Sequence, residues 1–114
     1  MIACDNELQS LCNKIPLDLS SVESLQDYYE SHSPEEMTNK IRSIEDFKGL
    51  NSPMLEIEEG LIPDWHARYF AADFNYGLKV IKDISGLFDV SIPTIDMLWQ
   101  WYCETTVNSD SGFF

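Results

Sequence analysis

The sequence predicts an all-α fold, an irregular bundle of about five helices, on three observations. Apolar residues recur at helical spacing in several stretches, and two Ser-x-x-Glu capping boxes occur in the first half of the chain. No run alternates apolar and polar residues for long enough to predict a strand. With 114 residues, 44% of them hydrophobic, the chain is long enough to bury one core. We therefore expect a single helical domain over residues 1–114.

The composition argues against several classes of function. The 20 acidic and 7 basic residues give a formal net charge of −13, and no Lys/Arg cluster is available for nucleic acid or an anionic membrane. No apolar stretch approaches the ~18 residues of a membrane-spanning helix, and the N-terminus does not resemble a secretory signal. Cys4, Cys12 and Cys103 form no CxxC pair. This favours reduced thiols in a cytoplasmic protein over a disulfide framework or a zinc site.

Three helices are expected in the first half of the chain. Ser20 with Glu23 forms one capping box, and Ser33 with Glu36 forms another, with Pro34 at its first helical position. Each box predicts the start of a helix, because the two side chains satisfy backbone N–H groups that a helix start leaves unpaired. Before them, one apolar helical face consists of Leu8, Leu11, Cys12 and Ile15, and Pro16 ends that helix.

The pattern breaks down over residues 47–62, which contain two glycines and a proline and predict a long irregular connection. After it, Asp64 is expected to cap a short helix through about Ala72. A second helix from about Asn75 to Phe88 carries two apolar stripes, which is typical of a central buried helix.

Pro93 begins the last helix. Met97 and Trp101 form a second apolar stripe on it, which either packs in the core or contacts another chain or domain. The expected core face of this helix consists of Ile95, Leu98, Trp99 and Tyr102.

One dense cluster of polar and aromatic side chains could carry chemistry, since no phosphate-binding Gly-rich loop, GxSxG or HExxH motif is present. A planar guanidinium can bind a carboxylate through two parallel hydrogen bonds, and Arg68 is one of only two arginines. On an unbroken helix Arg68 and Asp73 would lie ~140° apart. A break before Asn75 could turn both toward one pocket, whereas an Arg68–Asp73 ion pair joining two helices is the structural alternative. The cluster comprises Trp65, His66, Arg68, Tyr69, Asp73, Asn75 and Tyr76.

The two histidines, His32 and His66, lie far apart in the sequence. His32 adjoins a capping box and is expected at the surface, and His66 is expected to be a packing or surface residue. Neither is assigned a catalytic role.

Residues 68–101 resemble the C-terminal domain of the octopine/nopaline dehydrogenase family. Three features carry the resemblance: Arg68-Tyr69 followed by Asp73 and Tyr76-Gly77-Leu78, a helix ending in a short turn with Val90, and Pro93-Thr94-Ile95-Asp96 at the start of the last helix. Their order and spacing agree with the family across roughly residues 65–102.

The resemblance implies an oxidoreductase that joins the amino group of an amino acid to a 2-oxo acid and reduces the resulting imine with NADH or NADPH, the reduced forms of its NAD or NADP cofactor. It implies that Arg68 binds a substrate carboxylate, with Tyr76 beside it. It also implies that Asp73 orients a catalytic histidine that the family carries earlier in its helical domain, and which is missing here. We expect the chain to be a fragment of such an enzyme, inactive alone.

The sequence departs from the family in lacking the GxGxxG fingerprint and the Rossmann domain, so no cofactor binding by this chain alone is expected. The family often has Val-Pro after the aspartate, where this chain has Phe74-Asn75. A homo-oligomer is one expected assembly. The alternative function is a stand-alone acidic helical module that binds a protein partner without catalysis.

Overall fold

A computed structural model describes residues 1–109, and over this range the prediction of a mostly helical fold is confirmed. A 3₁₀ turn spans Glu45–Phe47, and a π-helical turn, Asp73–Leu78, joins the fourth helix to the fifth. Two short strands, β1 (Met54–Ile57) and β2 (Gly60–Pro63), form one hairpin. The α-helices are α1 (Ile2–Lys14), α2 (Leu25–Tyr28), α3 (Pro34–Ser43), α4 (Arg68–Ala71), α5 (Lys79–Leu87) and α6 (Pro93–Ser109).

Helix α1 anchors the start of α6 through one carboxylate. The two oxygens of Glu7 accept hydrogen bonds from the backbone N–H groups of Thr94 and Ile95, at 2.8 and 2.9 Å. The carboxylate thus satisfies two donors that the first turn of α6 cannot pair internally, at the positive end of the helix dipole. Burial opposes ionisation of Glu7, but the hydrogen bonds from Ile95 and Thr94 outweigh it, so the pKa of Glu7 lies below its ordinary value.

The predicted capping box at Ser20 is wrong. The Ser20 hydroxyl and backbone N–H both donate to the carboxylate of Asp18, at 2.7 and 3.1 Å, so they close a local turn instead of starting a helix. The residue that caps α2 is Ser24, whose side chain accepts from the backbone N–H of Asp27. The first N–H of α2, from Leu25, donates to the buried carboxylate of Asp5 on α1.

The second predicted capping box is confirmed. The Ser33 hydroxyl accepts from the N–H of Glu36 at 3.1 Å, and Pro34 occupies the first position of α3. The Glu36 carboxylate reaches one residue further back than in the usual box and accepts from the N–H of His32 at 2.7 Å. Met37, one turn into the helix, is buried.

The expected irregular connection contains a β-hairpin, so the prediction for residues 47–62 is wrong in part. Strands β1 and β2 pair antiparallel from Met54 opposite Pro63 to Ile57 opposite Gly60. Gly60 enters β2 with φ of 138°, a conformation that glycine adopts without steric cost. The strands have four residues each, and every residue of β1 is exposed, so no buried face existed to impose an alternating pattern.

The prediction that the helix from Asn75 to Phe88 is central and buried is wrong. Among the residues of α5 only Ser85 is buried, while Leu87 is 81% exposed and Val80 is 48% exposed. The reason is the shape of the molecule, which measures 49 × 37 × 18 Å. Since a helix with its side chains is ~10–12 Å across, this thickness allows about two layers, and α5 is covered on one side only.

The buried hydrophobic residues come from α1, α3, α6 and the segments just before α4 and α6. The last helix behaves as predicted: Ile95 and Tyr102 are buried on its inner face, and Leu98 and Trp99 are half-buried. Within residues 1–109, no helix combines the length and the apolar character needed to cross a membrane. The buried hydrophobic residues are Leu11, Met37, Trp65, Ile92, Ile95 and Tyr102.

Candidate functional site

The cluster identified in the sequence begins in a tight turn after the hairpin. Asp64 donates its N–H to the carbonyl of Pro53 at 2.9 Å, and its carboxylate accepts from the N–H of His66 at 3.1 Å. The carboxylate therefore closes a turn before α4 and does not cap the helix, contrary to expectation. The N-cap of α4 is Ala67, which has no side chain able to accept a hydrogen bond.

A widened helical turn follows α4 where the sequence predicted a break. The N–H of Ala72 bonds to the carbonyl of Arg68 at 3.0 Å, as in an ordinary α-helix. The carbonyl of Ala72 then accepts from both Tyr76 and Gly77, at 3.0 and 3.1 Å, and the second bond spans five residues. The chain thus continues as a helix from Arg68 into α5 through one π-helical turn, a feature that often occurs at functional sites.

Aromatic side chains hold this segment against α6. Trp65, 5% exposed, lies 4.5 Å from Phe70, 5.7 Å from Trp101 and 6.1 Å from Tyr102, measured between ring centroids. Phe74, inside the π-helical turn, stacks on Tyr102 at 4.5 Å and on Phe70 at 5.8 Å. Ring pairs at these separations interact favourably beyond their buried area.

The predicted site residues lie at the surface on this aromatic support. Arg68 and Asp73 are exposed, and Tyr76 is 74% exposed. Within residues 1–109 no carboxylate lies within ion-pair distance of Arg68, so Arg68 and Asp73 do not form the structural ion pair considered as an alternative. Because the turn between them widens only after Ala72, the backbone keeps Arg68 and Asp73 well apart around the helix axis.

The other members of the cluster divide between support and surface. Trp65 is buried, whereas Tyr69 is 54% exposed, and His66 and Asn75 are exposed. Sequence reasoning assigned no role to Phe70 and Phe74, although aromatic residues four apart on a helix are a recognisable signal of a packed face.

The described residues contain neither a cluster of metal-ligating side chains nor the strand–turn–helix element of a Rossmann fold. No group of three or more His, Cys, Asp or Glu side chains in residues 1–109 is arranged to hold a metal ion. A dinucleotide site needs a Gly-rich turn between a parallel strand and a helix, and the strands of this range form an antiparallel hairpin.

Comparison with known proteins gives the family. A family model described as the alpha-helical domain of NAD/NADP octopine/nopaline dehydrogenase matches residues 1–106. The chain belongs to this family.

The octopine/nopaline dehydrogenase domain described here resembles curated relatives at about 30% identity. Tauropine dehydrogenase of Arabella iricolor is 32% identical over 92 residues, which cover 75% of this chain and 23% of the relative. Octopine dehydrogenase of Pecten maximus is 29% identical over 115 residues, which cover 91% of this chain and 29% of the relative. The chain spans about a quarter of the length of the curated relatives it matches.

The fold agrees with a solved member of the family. An octopine dehydrogenase structure with NADH and L-arginine superposes with a TM-score of 0.78 at 28% sequence identity, covering 92% of this chain and 29% of that one. The helical arrangement described above is therefore the family's helical domain.

Proposed function

We propose that this domain binds a 2-oxo acid for an opine-forming dehydrogenase, which condenses an amino acid with the oxo acid and reduces the resulting imine with NADH or NADPH. The observation that carries the proposal is Arg68, an arginine left unpaired within residues 1–109 of a chain with 20 acidic residues. An exposed, unpaired guanidinium can take a carboxylate through two parallel hydrogen bonds. Family membership supports the same role.

Asp73 is proposed to act through a histidine. A general acid–base histidine needs a carboxylate that fixes its tautomer and favours its protonated form. The exposed carboxylate of Asp73 makes no ion pair within residues 1–109 and is therefore available for such a partner. The histidine is the one that the family carries earlier in its helical domain.

Tyr76 is proposed as a second substrate-binding residue. Tyr76 is 74% exposed on the first turn after Ala72, and its phenol offers one O–H donor to an acceptor on the oxo acid. Arg68 would fix the carboxylate and orient the carbonyl, which is how a bound substrate is held ready for reduction.

We propose three further properties of the enzyme: its amino acid substrate, its location and its oligomeric state. The amino acid is expected to bind in the same enzyme, as L-arginine does in the related octopine dehydrogenase, which also binds NADH. A cytoplasmic location and self-association into a homo-oligomer belong to the same proposal. The alternative of a stand-alone protein-binding module receives no support from the family match.

A chimeric enzyme tests the proposed function. Residues 1–106 would replace the matching segment of Pecten maximus octopine dehydrogenase, and NADH oxidation would be followed with L-arginine and pyruvate, the ligands named for solved octopine dehydrogenase structures. The change Arg68→Ala is expected to raise the KM for pyruvate and leave the Kd of NADH unchanged. The matched control is Arg42→Ala, which removes the other arginine, exposed on α3. Equal KM values for the Arg68→Ala and Arg42→Ala chimeras would overturn the proposal.

A further inference from the structure

We propose that the π-helical turn Asp73–Leu78 is a positioning element that brings the phenol of Tyr76 toward the side of the helix that carries Arg68. Phe74 is the positioning residue that holds this turn open. The inference rests on the proposed function, because the π-helical turn would give the same oxo acid a second hydrogen-bond donor, the phenol of Tyr76.

The direction of the effect follows from helix geometry. On a regular α-helix each residue adds ~100°, so Tyr76, eight residues after Arg68, would lie ~80° around the axis. In the observed turn the hydrogen bond from Gly77 to Ala72 closes over five residues instead of four. Each residue of that turn therefore rotates the chain by less than in an α-helix. The lost rotation falls between Arg68 and Tyr76 and moves the phenol back toward the guanidinium's side.

A wide turn needs something to hold it, because π-helical bonding is rare compared with α-helical bonding. Of the six residues in the turn only Phe74 and Leu78 are partly buried, and Leu78 stands at its end. The Phe74 ring lies nearly parallel to Tyr102, at an interplanar angle of 21° and a centroid distance of 4.5 Å. Tyr102 is itself 3% exposed on α6, so it offers a fixed platform.

The chemistry of the pair suits a 2-oxo acid. The guanidinium of Arg68 presents paired N–H donors to a carboxylate, and the phenol of Tyr76 presents one O–H donor to a remaining acceptor oxygen. Both side chains are exposed, so neither has to leave a packed position to reach the ligand.

Nuclear magnetic resonance on the full 114-residue chain tests directly whether the π-helical turn forms and whether Phe74 maintains it. Scalar couplings across hydrogen bonds identify the carbonyl that each amide donates to. In the unmodified chain Gly77 should couple to the carbonyl of Ala72. In Phe74→Ala the Gly77 coupling should move to the carbonyl of Asp73, as in an α-helix. In Phe74→Tyr, which keeps an aromatic ring, the coupling should stay at the carbonyl of Ala72. The control Phe88→Ala, which removes the same ring at the far end of α5, should leave the coupling at Ala72.

Should Phe74→Ala fail to fold, Phe74→Leu serves instead, because it keeps an apolar side chain and removes the ring stacking. A Gly77 coupling that stays at Ala72 in whichever of these variants folds would overturn the role of Phe74. A coupling of the Gly77 amide to the carbonyl of Asp73 in the unmodified chain would show that the π-helical turn does not form, and would overturn the inference.

Titration with pyruvate, the probe for the oxo acid, tests separately whether Arg68 and Tyr76 bind the ligand together. In the unmodified chain pyruvate should shift the Arg68 Nε–H and Tyr76 ring signals together. In Phe74→Ala the Arg68 shift should persist, the Tyr76 shift should disappear, and the affinity should fall about two- to tenfold, as for the loss of one hydrogen bond. A shift of the Arg68 signal without a shift of the Tyr76 signals in the unmodified chain would overturn the role of Tyr76 as a second donor. No shift of either, with the couplings as expected, would count against the proposed function while leaving the positioning role of Phe74 intact.

Discussion

At the scale of single residues, the side chains proposed to bind substrate lie outside the packed core. Arg68, Asp73 and Tyr76 are exposed, whereas the rings of Trp65 and Phe74 in the same segment pack against other aromatic rings. This division is typical of a site whose chemistry depends on a rigid support. It also separates two kinds of mutation, since changes in the exposed residues should alter binding and changes in the rings should alter stability.

Replacing Arg68 with alanine should cost less than about 1 kcal/mol of unfolding free energy, because exposed charges contribute little to stability. Urea denaturation of the chain measures this, with Arg42→Ala as the control for losing any exposed arginine. A loss above about 3 kcal/mol would mean that Arg68 is a buried structural partner, since stranding a buried charge costs that much. The assignment of this segment to substrate binding would then lose its main support.

Glu7 should make stability depend on pH in the acid range. Its pKa is lowered in the folded state, so its contribution is complete above the ordinary glutamate pKa of ~4.3 and is lost as the pH falls through the folded value. At neutral pH Glu7→Gln should cost about 1 kcal/mol, comparable to the loss of a helix N-cap.

The measurement is denaturation at several pH values between neutrality and about pH 3. The stability difference between the unmodified chain and Glu7→Gln should shrink as the pH falls. Glu59→Gln, an exposed carboxylate at the hairpin turn, is the control and should show no comparable trend. A constant difference across the range would mean that the Glu7 charge is not what stabilises the start of α6.

At the scale of elements, identical sequence signals can have different outcomes. Ser20 and Ser33 are both followed three residues later by a glutamate, but only Ser33 caps a helix. The competitor at Ser20 is Asp18, two residues earlier, whose carboxylate accepts from both the hydroxyl and the backbone N–H of Ser20. The backbone after Ser20 forms a turn, closed by the hydrogen bond from the N–H of Val22 to the carbonyl of Leu19, so there is no helix start for Ser20 to cap.

The two serines give a matched pair of mutations. Ser33→Ala should lower the unfolding free energy by about 1 kcal/mol, because it leaves an N–H of α3 unpaired. Ser20→Ala removes a hydroxyl from an exposed turn and should cost only a few tenths of that. Thermal and urea denaturation of both variants tests this, and equal losses would show that the Ser33 cap contributes nothing particular to α3.

At the scale of the whole molecule, the described residues form a plate 18 Å thick with apolar side chains on its surface. Met97 is 61% and Trp101 is 45% exposed on α6, which supports the interpretation of this stripe as a contact surface. Leu87 and Val80 are exposed on α5. Exposed apolar patches of this kind often mark interfaces.

The isolated chain should therefore self-associate in a concentration-dependent way. Sedimentation velocity should show a rising weight-average mass, and Met97→Lys should suppress it, because a charge on the stripe opposes burial against a second copy. Leu17→Lys, at a leucine 71% exposed in the loop after α1, is the control and should leave association unchanged. A strictly monomeric chain at high concentration would remove the argument for this surface.

The sequence alone determined the helical class, the end of α1, and the starts of α3 and α6. Each of these features depends on residues only a few positions apart. The spacing of apolar residues predicts the helices, prolines mark where they begin or end, and the serine of the capping box starts α3. The motif around Arg68 and Asp73 was also local, and it led to the family that the later comparison confirmed.

Only the tertiary structure decided the rest. Glu7 accepts hydrogen bonds from Thr94 and Ile95, which lie 87 and 88 positions later in the chain, and no local sequence pattern predicts these bonds. The hairpin strands lack a buried face, so periodicity could not reveal them. The wide turn at Asp73–Leu78 depends on Phe74 packing against Tyr102 on another helix. The exposure of α5 follows from how many layers cover it, a property of the assembled molecule that its own sequence does not encode.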